Sequence, residues 1–241
     1  MRTIVVIGAL ILSSCGSREP PRDAADRDWL SVEPPRLAVA QQEKYLAALA
    51  SVFADENGLV GSGCLQVLVV PRSGPEYIVY IDCLGEREGM PARVVRLVAK
   101  QDVSEALAEV GFEGASKIGV ERKEATLNAA DSRLLREIWW AMLERARPTQ
   151  SMDQALPRYH FSACKALTGC RGAVGAKLAR GARSSALIEI AELLGRLTDS
   201  DVRGRVALVE AIRARAANLK ASLRHDKPSA PHESENARDA E

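Results

Sequence analysis

Apolar positions recur along this chain with three different spacings, and each spacing marks a different kind of segment. Near the start, nine apolar residues run unbroken from Ile4 to Leu12. Further on, residues 64–70 and 77–83 are two seven-residue runs rich in β-forming side chains, separated by the Pro71-Arg72-Ser73-Gly74-Pro75-Glu76 turn segment. In the carboxyl-terminal third, apolar residues return every three or four positions, which is the period of an amphipathic helix.

These spacings predict an order of elements. Residues 36–54 carry Leu37, Val39, Tyr45, Leu46, Leu49, Val52 and Phe53 near helical spacing, with Pro35 at the start and Asn57-Gly58 as the stop. A hairpin over 64–83 follows, then a third strand over 92–100. A short helix over 102–110 has Asp102 or Ser104 as its cap and Gly111 as its close. Residues 117–128 are polar and charged, a strand of edge character. Residues 131–147 form a strong amphipathic helix stopped by Pro148, and 158–164 a further strand with Tyr159, Phe161 and Ala163 on one side. Two helices over 184–197 and 201–223 meet at Thr198-Asp199-Ser200. The second carries a seam of Val202, Val206, Val209, Ile212, Ala216, Leu219 and Leu223 with coiled-coil spacing. The short connection favours packing of that seam on Leu187, Ile190, Leu193 and Leu194 as a helical hairpin. The fold class is therefore α+β: a small, mainly antiparallel sheet of four to five strands packed with helices, plus a C-terminal helical hairpin.

The hairpin also implies cysteine chemistry. A turn centred on Ser73-Gly74 sets Leu68 opposite Val79, Gln66 opposite Ile81, and Cys64 opposite Cys83, close enough to bridge. Cys164 and Cys170 close a short local loop and make the complementary pair. Four cysteines allow three connectivities, and this one has the least strain. A zinc site is the competing use of the thiols. It is disfavoured because Cys-x-x-Cys spacing does not occur and His160, His225 and His232 are not grouped with the cysteines.

The amino end carries the most specific signal. Arg2 precedes the apolar run, as in a secretory signal peptide. Nine residues rise only about 14 Å as a helix, against a hydrocarbon core of roughly 30 Å, so the run is too short to span a membrane. The run ends in Leu12-Ser13-Ser14-Cys15, which resembles the lipobox of bacterial lipoproteins. In that family the peptide is cut before the Cys, which carries acyl chains on its sulfur and on its new amino group. The resemblance covers residues 1–17 alone. It implies that Cys15 is the lipidated first residue of the mature chain, anchored in the cell envelope. Gly16 after the Cys, rather than Asp, implies the periplasmic face of the outer membrane. Several acyl chains together give the stable anchoring that one cannot, and the oxidising periplasm fits paired thiols.

The chain then divides into a signal peptide over 1–14, a lipidated Cys with a flexible Pro-rich tether over 15–35, an α+β domain over 36–182, the helical hairpin over 183–224, and a polar, disordered tail over 225–241. Trp29 and Leu30 are the only apolar anchor in the tether. Because Arg2 is the signal's only charge, the mature side chains balance at 32 basic against 32 acidic. That neutrality gives no electrostatic reason to expect nucleic acid. Aromatic residues, at 4%, are too few for a stacked carbohydrate-binding face.

Candidate chemistry is thin. His160 has Ser162, Asp153, Asp82 and Glu86 as nominal companions for general-base work, but no nucleophile elbow, oxyanion motif or metal set accompanies it. A strand histidine beside buried Tyr159 and Phe161 is the plainer reading. The run Gly169–Gly175, Gly-Cys-Arg-Gly-Ala-Val-Gly, lacks the Gly-Lys-Ser/Thr end of a phosphate loop and reads as freedom around a disulfide. No catalytic, cofactor-binding or metal-ligating set is expected, and the chain is not read as an enzyme. Trp140 is the single-residue exception. It lies opposite the apolar arc of Leu134, Leu135, Ile138, Trp139 and Met142, among Arg133, Glu137 and Glu144. A tryptophan so placed is either covered by another segment or a contact for a protein partner, and it is the expected partner-contact residue. The reading is thus a lipid-anchored envelope binding protein, with membrane contact through Cys15 and a protein partner. Inhibitor or immunity lipoproteins are the nearest class, a structural or assembly lipoprotein of the outer membrane is the alternative, and a periplasmic enzyme comes third.

Overall fold

The structure, a computed structural model, describes residues 30, 39–54, 63–82, 90–147, 157–165, 169–176 and 182–225. Its elements in chain order are α1 (Val39–Val52), β1 (Gly63–Val70), β2 (Tyr77–Asp82), β3 (Ala92–Ala99), α2 (Val103–Val110), a 3₁₀ helix (Phe112–Lys117), β4 (Val120–Leu127), α3 (Ala129–Glu144), β5 (Arg158–Lys165), β6 (Gly169–Ala176), α4 (Arg183–Asp199) and α5 (Val202–His225). The strands form one antiparallel six-stranded sheet in the order β4-β3-β2-β1-β5-β6. The α+β class stands, with six strands rather than four or five.

The extra strand is β6. Its glycines and Arg171 break the alternation by which strands are recognised, yet the backbone pairs with β5 from Lys165↔Gly169 to Arg158↔Ala176. Within that ladder Cys164 and Cys170 are direct neighbours and are disulfide-bonded. The bridge ties an edge strand to its neighbour.

The β1–β2 register also departs from expectation. Leu68 faces Ile78, Gln66 faces Tyr80 and Val69 faces Tyr77, one residue from the predicted pairing, with an irregularity between Gly63 and Leu65. A one-residue slip changes which side chains share a face. The cause lies at Glu76. Its carbonyl accepts the Ala99 N–H at 3.0 Å and its buried carboxylate accepts the Val103 N–H at 2.8 Å, so it serves β3 and α2 rather than the turn. Gly74, at φ 87°, supplies the left-handed residue that lets the chain reach that position.

Each face of the sheet has its own core. On the first, Leu65, Val67, Val69, Val79, Ile81, Val94, Tyr159, Phe161 and Ala173 pack under α3 and α4, with Trp139 edge-on to Phe161 at 5.2 Å between ring centroids. On the second, Ile78 and Ala99, with half-buried Leu68, Leu97 and Val120, pack under α1, α2 and the 3₁₀ helix through Leu49, Phe53, Val103, Leu107 and Ile118. The helix ends follow their residues: Asp102 accepts the Ser104 and Glu105 N–H groups to cap α2, and Asn128 accepts the Asp131 N–H to cap α3.

The two C-terminal helices pair antiparallel, as the seam predicts, and they belong to the same core as the sheet rather than to an appendage. α4 lies directly on the sheet. α5 lies outside it, along α3 and α4, with Ile212, Ala216, Leu219 and Leu223 buried. Leu30 is fully buried in this core, and its carbonyl accepts the Arg147 N–H at 2.9 Å. A methyl group added at Gly175 would lie 3.0 Å from Leu30 Cδ2, 3.4 Å from Phe161 Cε2 and 3.5 Å from Ile188 Cδ1. The glycine leaves the space that Leu30 fills.

Candidate functional site

The residues singled out by sequence do not converge on one place. Cys15, Cys83, Glu86 and Asp153 lie outside the described residues, as do 1–14, the tether apart from Leu30, and 226–241. Cys64 is disulfide-bonded. Its expected partner, Cys83, follows the last described residue of β2, so that pairing remains a proposal.

His160 projects from the second face of the sheet, opposite Leu68 on one side and Val174 on the other. Its neighbours across the strands are apolar, and among the described residues it has no hydrogen-bond partner. Burial first, and the charge of Arg158 second, push its pKa down to about 4. A ring held neutral at physiological pH can accept a proton in principle. However, Ser162 occupies the same face two residues away, and Asp82 is committed to Arg93 at 2.6 Å. The plainer reading of a strand histidine fits this geometry.

Trp140 requires correction. It is 7% exposed and belongs to the main core, not to the surface. Its indole N–H donates to Glu144 at 2.6 Å, and the Arg171 guanidinium of β6 lies 5.4 Å from its ring centroid. The helical wheel assumed one apolar side and one solvent side. Arg133, Glu137 and Glu144 are exposed as the wheel requires, but Trp140 between them is buried, with Arg171 of β6 lying over its ring. Asp131 is held by Arg213 through bonds of 2.8 and 2.9 Å, and Glu137 by Lys220. Trp140 is thus packing, and it is withdrawn as a partner contact.

Two polar clusters that the sequence did not announce are better defined. One is the buried clamp at Glu76, 3% exposed, which accepts from the Tyr45 hydroxyl and the Val103 N–H. Burial, then this carboxylate, raises the Tyr45 pKa so that the phenol stays a donor. The clamp joins α1, the β1–β2 hairpin and the start of α2. The other is an ion-pair row across β2, β3 and β4 on the second face. Arg93 meets Asp82 at 2.6 Å and Glu124 at 3.7 Å, and Arg122 meets Glu124 at 2.7 Å and the Tyr80 hydroxyl at 3.5 Å. Every carboxylate in that row already faces a guanidinium. Such a row guards the exposed edge of β4 against strand addition and offers polar recognition, but it leaves no free acid or base.

Among the described residues, no group of three or more His, Cys, Asp or Glu side chains is placed to hold a metal ion, and no helix is long and apolar enough to cross a membrane. Comparison with protein-family models, with curated proteins and with solved structures returned no match.

Proposed function

We propose that this chain is a lipid-anchored binding protein of the bacterial cell envelope, held at the membrane through lipid on Cys15 and acting through a protein partner. The observation that carries the reading is the Cys164–Cys170 disulfide in a domain that stands behind Leu12-Ser13-Ser14-Cys15. Leu30 adds a geometric condition. With Leu30 fixed in the core, the fifteen residues from Cys15 to Leu30 set the reach, about 50 Å when fully extended. The domain is therefore hung from one fixed corner, where the end of α3 meets β6 and α4.

In class, this arrangement is similar to the inhibitor and immunity lipoproteins that neutralise wall-degrading toxins. The alternative, a structural or assembly lipoprotein of the outer membrane, is favoured by one observation: the first two turns of α5 leave Val202 and Val206 exposed. Replacing Cys15 by Ala tests the anchor. The variant should leave the membrane fraction and lose its lipid label, whereas a membrane-bound, equally labelled variant removes the lipobox reading. Affinity capture from solubilised envelope then separates the two classes, by recovery of a secreted hydrolase or of an outer-membrane assembly.

A further inference from the structure

α5 is longer than the layer it covers. Val202, Val206, Val209, Arg213, Ala216 and Lys220 recur at intervals of four and three, so they share one stripe along the helix. From Arg213 onward that stripe faces α3, through Arg213 to Asp131 and Lys220 to Glu137. Asp131 is only two residues into α3, so α3 begins where Arg213 stands. The eleven residues from Val202 to Arg213 rise about 16 Å, and the first turns of α5 therefore project beyond α3. Val209 is half-buried against the core, but Val202 is 78% exposed and Val206 62%. The flank of this stripe carries Arg203 and Glu210, seven residues apart on one side of the helix. Both are exposed, and neither forms an ion pair among the described residues, although Glu210 contributes a field at Arg213.

We infer that this projecting end of α5 pairs with the same end of a second copy of the chain, antiparallel, about a two-fold axis through Val206. Three observations select that occupant. An antiparallel pairing centred on Val206 sets Val202 of one copy against the region of Glu210 of the other, so that Arg203 and the second copy's Glu210 become neighbours twice over. Charge complementarity of this self-matching kind is what an isologous contact requires. A parallel pairing would put the two copies' Arg203–Glu210 flanks on opposite sides of the contact and drive the two α3 helices into each other, whereas the antiparallel one brings the flanks together and sends the α3 helices to opposite ends. The stripe is also continuous with an interface the molecule already makes: each copy's projecting turns take, on the other α5, the place that α3 takes further along. A membrane surface fits less well. Arg203 and Glu210 cancel, and this end follows the carboxyl end of α4, whereas Leu30, where the chain leads back to Cys15, packs beside Ile188 near the amino end of α4. The inference does not depend on the lipid anchor. Two valines a side make a small contact, so the association is weak and concentration-dependent.

The test uses the full chain purified in detergent and oxidised mildly after folding. Val206→Cys should give a disulfide-linked homodimer at about five-fold or more the yield of Ala207→Cys, which places the thiol on an exposed position further round the helix from the stripe than Arg203 and Glu210. In the Val206→Cys background, Arg203→Glu should lower the yield several-fold, and Arg203→Glu together with Glu210→Arg should restore it. Sedimentation equilibrium gives an independent reading, with weight-average mass rising with concentration for the parent and staying monomeric for Val206→Glu. Equal yields from Val206→Cys and Ala207→Cys overturn the proposal, as does a double charge exchange that fails to restore pairing. Conjugates of Val206→Cys formed in the envelope with a different protein, in place of the homodimer, overturn it in favour of a foreign partner.

Discussion

The two faces of the sheet are covered in opposite ways. Under α3 and α4, cohesion comes from apolar area: Trp139, Trp140, Phe161 and a large set of leucines, isoleucines and valines, closed at one corner by Leu30. Under α1, α2 and the 3₁₀ helix the buried side chains are fewer and include four alanines, and Phe53 is the one fully buried aromatic ring among them. This second cover is fastened by a polar clamp, Glu76, which binds one group from each of the two helices. Apolar area tolerates reshaping, because a loss is shared among many contacts. A clamp fails as a unit, because removing its acceptor strands every donor it served. The same sheet thus has one side that should weaken gradually and one that should release.

The largest effect is expected on the apolar side. Trp139→Ala should cost about 4 kcal/mol, the range for truncating a fully buried aromatic ring. Trp139→Phe should cost about 1 kcal/mol, because it keeps the ring against Phe161 and removes a buried indole N–H that has no partner among the described residues. Trp140 sharpens the point: Trp140→Ala should cost about 3 kcal/mol by urea denaturation. A cost under about 0.5 kcal/mol would mean that it is a surface residue after all.

On the clamped side, Glu76→Ala should cost about 2–3 kcal/mol, since the Val103 N–H and the Tyr45 hydroxyl lose a shared charged acceptor. The distinguishing readout is hydrogen exchange. Amides of α1 and α2 should lose protection well before those of α3 and α4. Uniform loss across both covers would show that the two faces unfold as one and that the contrast is only compositional.

How much of this was legible in the sequence follows from the same contrast. Elements with a clear period emerged at nearly the right bounds: β3, α2 with its Asp102 cap and Gly111 close, β4 as a charged edge strand, β5, and the α4–α5 pair. The Cys164–Cys170 bridge also followed from proximity along the chain. What escaped depends on long-range partners that leave no local period. β6 has too few side chains to alternate, and Glu76 looks like a turn residue until Val103 is brought to it, whereas Leu30 stood out as the tether's apolar anchor and only its place in the core was hidden. The register slip follows from Glu76, and Trp140 is buried where Arg171 of β6 lies over its ring. In both cases a remote segment overrode a local rule. The projecting valines of α5 are the converse: the seam was visible, but only the starting point of α3 shows which part of it is left uncovered.

The last expected effect, no larger than loss of the Glu76 clamp, lies on the clamped face at His160 and can be isolated by pH. The folded protein holds this ring's pKa near 4, while an unfolded chain leaves it near 6.5. The unfolded state therefore takes up a proton first as pH falls, and stability is lost between about 6.5 and 4 and then levels off. The loss between pH 7 and pH 4.5 should be roughly 2 kcal/mol, from a displacement of this size. Asp131 acts in a different window. Its hydrogen bonds from Arg213 hold its carboxyl below the usual carboxylate range, so its contribution is present above the unfolded value near 3.8 and is lost only as pH falls further. His160→Gln keeps a polar side chain of similar reach and removes the titration. Urea denaturation at pH 7, 5.5 and 4.5 should then give a nearly flat profile for the variant and a falling one for the parent. If both fall in parallel, the acid sensitivity belongs to carboxylates elsewhere, and His160 titrates in the folded protein much as it does in the unfolded chain. If the parent's loss is carried by α1 and α2 amides in hydrogen exchange, the weaker cover is also the one that acid opens first.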